Sequence, residues 1–342
     1  MAEANEPYFA LIVEENTPGQ FTRRVAPRTL DDLPAGEVLV KVSYSSLNYK
    51  DALSASGNKG VTRNYPHVPG IDAAGVVTAS QSDDFNPGDE VISITGELGV
   101  SIPGGFGQYI RVPAAWLMPL PEGMDLRQSM SYGTAGFTAA MCVDCLQRAR
   151  VAPDSGDVLV TGATGGVGSI AVGILARAGY RVVAATGKAA QHDLLRALGA
   201  SEVIGREALN DSSGRALLHA RWAGVVDTVG GSYLSAALRS TQPGGVATAC
   251  GNAAGAELSM TVYPFILRGV SLIGIDALLP GRAERERLWR RLAQDWSVAL
   301  LPAITREVTL PELDEEIQRM LAGGGLGRVV VNLDPAGGVK KV

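Results

Sequence analysis

Runs of apolar side chains, alone or alternating with polar ones, open the chain as a series of short strands. YFALIV (8–13) is a short apolar run, and EVLVKVSY (37–44) alternates with the period of two that a half-buried strand requires. GIDAAGVV (70–77), GDEVISIT (88–95) and GFGQYIRVP (105–113) follow between turns. Prolines at 66, 69, 87, 103, 113, 119 and 121 exclude a long helix here, because proline lacks the amide hydrogen and clashes with the preceding turn. The pattern predicts a β-rich, partly closed, barrel-like domain.

Near residue 125 the pattern changes. QSMSYGTAGFTAAMCVDCLQRARV (128–151) is helical in character, and the strand VLVTGA (158–163) follows it. Helix SIAVGILARAG (169–179), strand RVVAAT (181–186), helix HDLLRALGA (192–200) and strands EVIG (202–205) and GVVDTV (224–229) come next. Helix YLSAALRST (233–241) and strands GGVATACG (244–251) and VSLIGID (270–276) complete the run. Strands alternating with helices predict an α/β, doubly wound parallel sheet. The tail holds a helix, LPELDEEIQRMLAGG (310–324), and a strand, GRVVVNL (327–333), expected to rejoin the first sheet. The expected division is 1–128 with 303–342 as one domain and 129–302 as the other. A chain of 342 residues exceeds the size at which one core stops growing, which agrees with two.

Composition narrows the function. The net charge of −5 gives no global field for nucleic acid or an anionic membrane. No apolar run is long enough to span a bilayer, and the N-terminal residues do not read as a signal peptide. Three cysteines are too few and too odd for a disulfide framework, so a reducing cytoplasm is the expected setting.

VLVTGATGGVGSIAVGILARAG is the most informative stretch. A buried strand runs through Thr164, Gly165, Gly166 and Val167 into a helix. Glycines allow a tight turn and close approach of a pyrophosphate, whose charge the helix N-terminus favours. The next strand ends in Thr186, Gly187 and Lys188, with no carboxylate to meet a ribose 2′-hydroxyl, and Arg206 follows the strand after that. Cations and a hydroxyl suit a 2′-phosphate, so NADPH is the expected cofactor. A glycine turn without a ligand, and a merely solvated Lys188, are the bland alternatives.

SSLNYKDALSASG (45–57), RNYPHVPGIDAAGVV (63–77), GTAGFTAAMCV (133–143), VTGATGGVGS (160–169), WAGVVDTVGG (222–231), YPFILRGVSLIGIDA (263–277) and GRVVVN (327–332) together resemble the zinc-free medium-chain dehydrogenases/reductases. Within them the chain is most similar to the acrylyl-CoA reductase family of the quinone oxidoreductase branch. The resemblance implies a GroES-like catalytic domain, an inserted Rossmann domain, NADPH and a homodimer. It implies that Asn48 and Tyr49 line the cleft beside the nicotinamide, and that Asp51 and Asp72 orient them or relay a proton. For the two aspartates a surface pair with Lys50 and a turn cap are the alternatives. It also implies cofactor contacts from Tyr49, Thr134, Cys250, Gly251, Ile275 and Asn332; Thr134 could instead cap a helix. VSLIGID is expected to pair with its copy across the dimer, or else to be an edge strand blunted by Asp276.

No metal is expected. Gly70-Ile71-Asp72 stands where the zinc enzymes carry Gly-His-Glu, and no four-cysteine lobe exists. Cys142 and Cys145 read as packed thiols rather than a redox pair. Without a Lewis acid the chemistry suits an acceptor already activated by conjugation, an acyl-CoA or a quinone. Lys59, Arg63 and Arg268 are candidates for a cationic rim that would meet the phosphates of an acyl-CoA. The rival readings are a general quinone or enone reductase and a non-catalytic NADPH-binding protein.

Overall fold

The computed structural model describes residues 7–334, which fall into two compact units. The first runs to Thr134, includes Pro280–Glu286 and resumes at Thr305; the second holds Ala135–Leu279 and Arg287–Ile304.

In the first unit, β1 (Tyr8–Thr17) and β2 (Gln20–Arg28) form an antiparallel hairpin that turns at Gly19, with φ +81°. β2 escapes the sequence pattern because arginines interrupt its apolar positions. The larger sheet comprises β3 (Val38–Leu47), β4 (Ala73–Ser80), β5 (Glu90–Ser93), β6 (Tyr109–Val112) and β7 (Met118–Pro119), with helix α1 (Tyr49–Ala55) after β3. β3 pairs antiparallel with both β4 and β6. Its buried Val38, Val40 and Val42 share a core with Leu11, Phe106 and Ile110.

Helix α2 (Leu126–Arg148) is kinked at Gly133. In the second unit, β8 (Asp157–Val160), α3 (Gly166–Arg177), β9 (Val182–Thr186), α4 (His192–Ala197), β10 (Glu202–Gly205) and β11 (Trp222–Asp227) follow. They are succeeded by α5 (Gly231–Arg239), β12 (Thr241–Ala249), α6 (Tyr263–Arg268) and β13 (Ser271–Gly274). The six strands are all parallel in the order β10-β9-β8-β11-β12-β13, the doubly wound order in which the winding reverses between the first and fourth strands. Such a reversal opens a crevice at the carboxyl ends of β8 and β11.

Helix α7 (Arg282–Ala293), absent from the sequence reading, buries Trp289, whose ring stacks on Phe137 at 6.3 Å. The tail supplies β14 (Thr305–Thr309), α8 (Leu313–Leu321) and β15 (Arg328–Asn332) to the first unit. β15 joins β3 antiparallel, as expected, and parallel β14 adds the unexpected edge. TREVT hides β14 because only Val308 of its five residues is fully buried.

Candidate active site

Antiparallel pairing of β15 with β3 sets Val329 opposite Leu47 and Val330 opposite Ser46. It thereby buries Arg328, the first residue of β15, against the end of β3. Its guanidinium donates to Ser131 O (3.1 Å), Leu47 O (3.4 Å), Asn48 Oδ1 (3.2 Å) and Ser46 Oγ (2.7 Å), and lies 3.7 Å from Asp72 Oδ2. Asp72, just before β4, accepts from Thr134 Oγ1 (2.5 Å), Thr134 N (3.0 Å), Asn48 Nδ2 (2.8 Å) and Ser46 Oγ. Gly133, at φ +50° and ψ −155°, lets the backbone come this close; a Cβ there would overlap Asp72 and Ser46.

Asn48 follows β3 and caps α1. Its amide donates to Asp72 and to Ser46 O (3.4 Å), and its oxygen accepts from Arg328, so both ends are engaged within the chain. Asp51, on the first turn of α1, is fully buried and is no surface partner of Lys50. Its carboxyl accepts from Asn48 N and Ile71 N, both at 2.8 Å. Burial, and then the charge of Asp72, push its pKa up to about 7. Tyr49, the first residue of α1, is 49% exposed. Asn332 closes β15, with its amide donating to Glu307 and accepting from Asp334 N (2.9 Å each).

The second unit assembles another group. Helix α3 starts at the carboxyl end of β8 with no side-chain cap and no acid in its first turn. The N–H groups of Gly166, Val167 and Gly168 therefore have no intrahelical acceptor and carry the positive end of the helix dipole. A Cβ on Gly168 would overlap Gly162 O, so only glycine permits this turn. Thr164 Oγ1 lies 3.1 Å from Thr186 Oγ1 at the end of β9, and Lys188 N donates to that same hydroxyl at 3.1 Å. Arg206, just past β10, lies across Gly187, where a Cβ would come within 2.9 Å of its Cδ. The donor set of this end of the sheet fits a pyrophosphate and a 2′-phosphate. Cys250 N donates to Asp227 O at 3.0 Å and Ile275 N to Ala249 O at 2.9 Å, which holds those two segments at the ends of β11 and β12.

Cys142 is buried, and a hydrogen bond to Cys250 followed by burial pushes its thiol well above the ordinary range, the behaviour of a packed thiol. Two members of the expected cationic rim are committed elsewhere. Lys59 pairs with Glu15 at 2.6 Å, and Arg268 donates to Leu218 O, Arg239 O and Thr241 O. Sequence reasoning missed Ser46 and Arg328 as partners of Asp72. For Arg328 the signal was present: a charged residue at the head of the apolar strand GRVVVN.

A GroES-like β unit and a six-stranded Rossmann unit in one chain define a medium-chain dehydrogenase/reductase. Two family models agree: the alcohol dehydrogenase GroES-like domain matches residues 34–122, and the zinc-binding dehydrogenase model matches 166–294. More narrowly, the chain belongs to the acrylyl-CoA reductase and YhfP quinone oxidoreductase family. It is 45% identical to the acrylyl-CoA reductase AcuI of Ruegeria pomeroyi over 326 residues, 95% of this chain and 99% of the relative. The yhdH oxidoreductase of Salmonella enterica, solved in complex with NADP, superposes with a TM-score of 0.92 at 40% identity, covering 95% of this chain and all of that one. Bacillus subtilis yhfP, solved with NAD bound, gives 0.92 at 45% identity over 96% and 100%.

Zinc, which the second family model's description implies, does not fit the residues present. Both oxygens of Asp72 are taken by in-chain donors, with no cysteine or histidine among its partners. Among the described residues no group of three or more His, Cys, Asp or Glu could hold an ion. Among them, too, no helix is long and apolar enough to cross a membrane.

Proposed function

We propose that this chain is an NADPH-dependent reductase of an activated carbon–carbon double bond, with acryloyl-CoA to propionyl-CoA as its reaction. The observation that supports the reading is the end of β9, where Thr186, Gly187 and Lys188 carry no acid and Arg206, from just past β10, lies across Gly187. The full-length likeness to an acrylyl-CoA reductase supports the substrate.

NADPH held at this turn would supply the hydride that the β carbon of the thioester needs, and water or a side chain the proton for the α carbon. The chain's own part is to bind, orient and stabilise. Thr164, Gly165, Gly166 and Val167 hold the pyrophosphate; Thr186, Gly187, Lys188 and Arg206 hold the 2′-phosphate. Thr134, Cys250, Gly251, Ile275 and Asn332 serve the rest of the cofactor. Tyr49, whose ring is exposed, borders the nicotinamide, and its hydroxyl steadies the charge that develops on the thioester oxygen. Asn48, Asp51 and Asp72 act behind it, as the positioned network at the end of β3.

The expected assembly is a homodimer. β13 is the edge of the six-stranded sheet, and Ile266 (66% exposed), Leu267 and Leu279 (78%) leave an apolar surface near it in sequence.

The test is a steady-state assay with NADPH and acryloyl-CoA, run beside a simple quinone at matched concentrations. Higher kcat/KM on the thioester is expected. Equal or better turnover of the quinone would favour a general quinone or enone reductase, and NADPH binding without any turnover a non-catalytic NADPH-binding protein. Tyr49→Phe is expected to lower kcat about 100-fold, the scale of one lost oxyanion donor, with NADPH binding retained.

A further inference from the structure

Where the winding of the sheet reverses, one buried carboxylate joins segments that are far apart in sequence. Asp227, the last residue of β11, is fully buried. Its Oδ1 accepts from Thr161 Oγ1 at 2.7 Å, and its Oδ2 from Gly230 N at 2.8 Å. Thr161 follows β8 directly and precedes the glycine turn. Its hydroxyl also accepts from Thr228 N at 3.0 Å, and its carbonyl accepts from Thr228 Oγ1 at 2.9 Å. Gly162, at φ +58°, passes so near Thr228 that a Cβ would overlap the Thr228 hydroxyl.

The other side of Asp227 reaches the loop after β12. Its carbonyl accepts from Cys250 N at 3.0 Å and Cys250 Sγ at 3.4 Å. Ala254 N donates to Val229 O at 2.7 Å, and Gly251 packs against Thr228 so closely that it has no room for a side chain. The residues from Asp227 to Gly230 are thus a shared support for the glycine turn on one flank and for Cys250 and Gly251 on the other. A carboxylate is costly to bury beside a site for a polyanion, and burial does raise its pKa. A group retained there against that cost has a role in holding geometry.

We infer that Thr161 and Asp227 are positioning residues of the cofactor site, their buried hydrogen bond holding the glycine turn in register with the Cys250–Gly251 loop. The inference rests on the NADPH reading above. The Thr161 hydroxyl donates to Asp227 and accepts from Thr228 N, so its loss removes both of these bonds without removing a charge.

The experiment compares Thr161→Val, which keeps the shape, with Thr161→Ser, which keeps the hydroxyl, by NADPH fluorescence titration, melting temperature and steady-state kinetics. Thr161→Val is expected to bind NADPH about tenfold or more weakly, the scale of a lost hydrogen bond to a buried charged group. Its kcat at saturating NADPH should stay within about twofold, while Thr161→Ser binds like the unaltered protein. Wild-type affinity in Thr161→Val, or equal losses in both variants, would overturn the inference while leaving the NADPH reading intact. If the unaltered protein itself fails to bind NADPH, both fall. Should Thr161→Val not fold, Thr228→Val, which removes the reciprocal bond, is read by the same criteria; collapse of both would assign the cluster to folding and overturn the positioning role.

Discussion

Asp51 and Asp72 are both fully buried in the first unit, and the guanidinium of Arg328 lies 3.7 Å from Asp72. Burial, and then the charge of Asp72, push Asp51 up to about 7. In the unfolded chain its pKa returns to about 3.8. Across the window from about 3.8 to about 7 the folded chain therefore holds a proton that the unfolded chain has released. The stability Asp51 contributes is full below the lower value and is lost as pH rises through the upper one. Asp51→Asn removes that slope, so thermal melts should show the variant gaining on the unaltered protein between about pH 5 and about pH 8. A difference that stays constant with pH contradicts the protonated carboxyl. In the second unit the decisive residue is Lys188. On the proposed 2′-phosphate role, Lys188→Glu is expected to weaken NADPH at least about tenfold more than NADH. Equal losses for both cofactors in fluorescence titrations would remove the 2′-phosphate role.

Among the elements, α2 shows how one glycine organises a site. Its kink at Gly133 turns Thr134 N and Oγ1 toward Asp72, so the expected helix start is also the anchor of a buried carboxylate. Gly133→Ala forces an alanine to positive φ and into Asp72, and should cost about 2–4 kcal/mol by denaturant unfolding. A loss below about 0.5 kcal/mol, the range of neutral surface changes, would show that the kink relaxes freely. β13 is the other element with a consequence beyond itself, since its outer edge has no partner strand among the described residues. Ile266→Asp with Leu267→Asp is expected to turn a homodimer into a monomer in sedimentation velocity. An unaltered mass would place the dimer contact elsewhere.

For the whole molecule, cofactor preference and stability are linked. A ligand that binds only the folded state stabilises by mass action, about 2.7 kcal/mol at a hundredfold excess over Kd. NADPH should therefore raise the melting temperature more than NADH at equal concentration, and the reverse order would contradict the reading of β9.

Local pattern determined a great deal. The strand run and the strand–helix alternation follow from side-chain periodicity, and the Gly165–Gly168 turn from the missing Cβ of Gly168 where it passes Gly162 O; both are properties of short segments. The missing carboxylate after β9 was likewise legible, because Thr186, Gly187 and Lys188 are neighbours in sequence. The partners of Asp72 were not. Ser46, Thr134 and Arg328 lie up to 282 residues apart, and only the pairing of β15 with β3 and the kink at Gly133 bring them to one carboxylate. The same holds for Thr161 and Asp227, joined across 66 residues where β8 meets β11. A buried charge is stable only with partners, and partners at such separations are chosen by strand register rather than by local sequence.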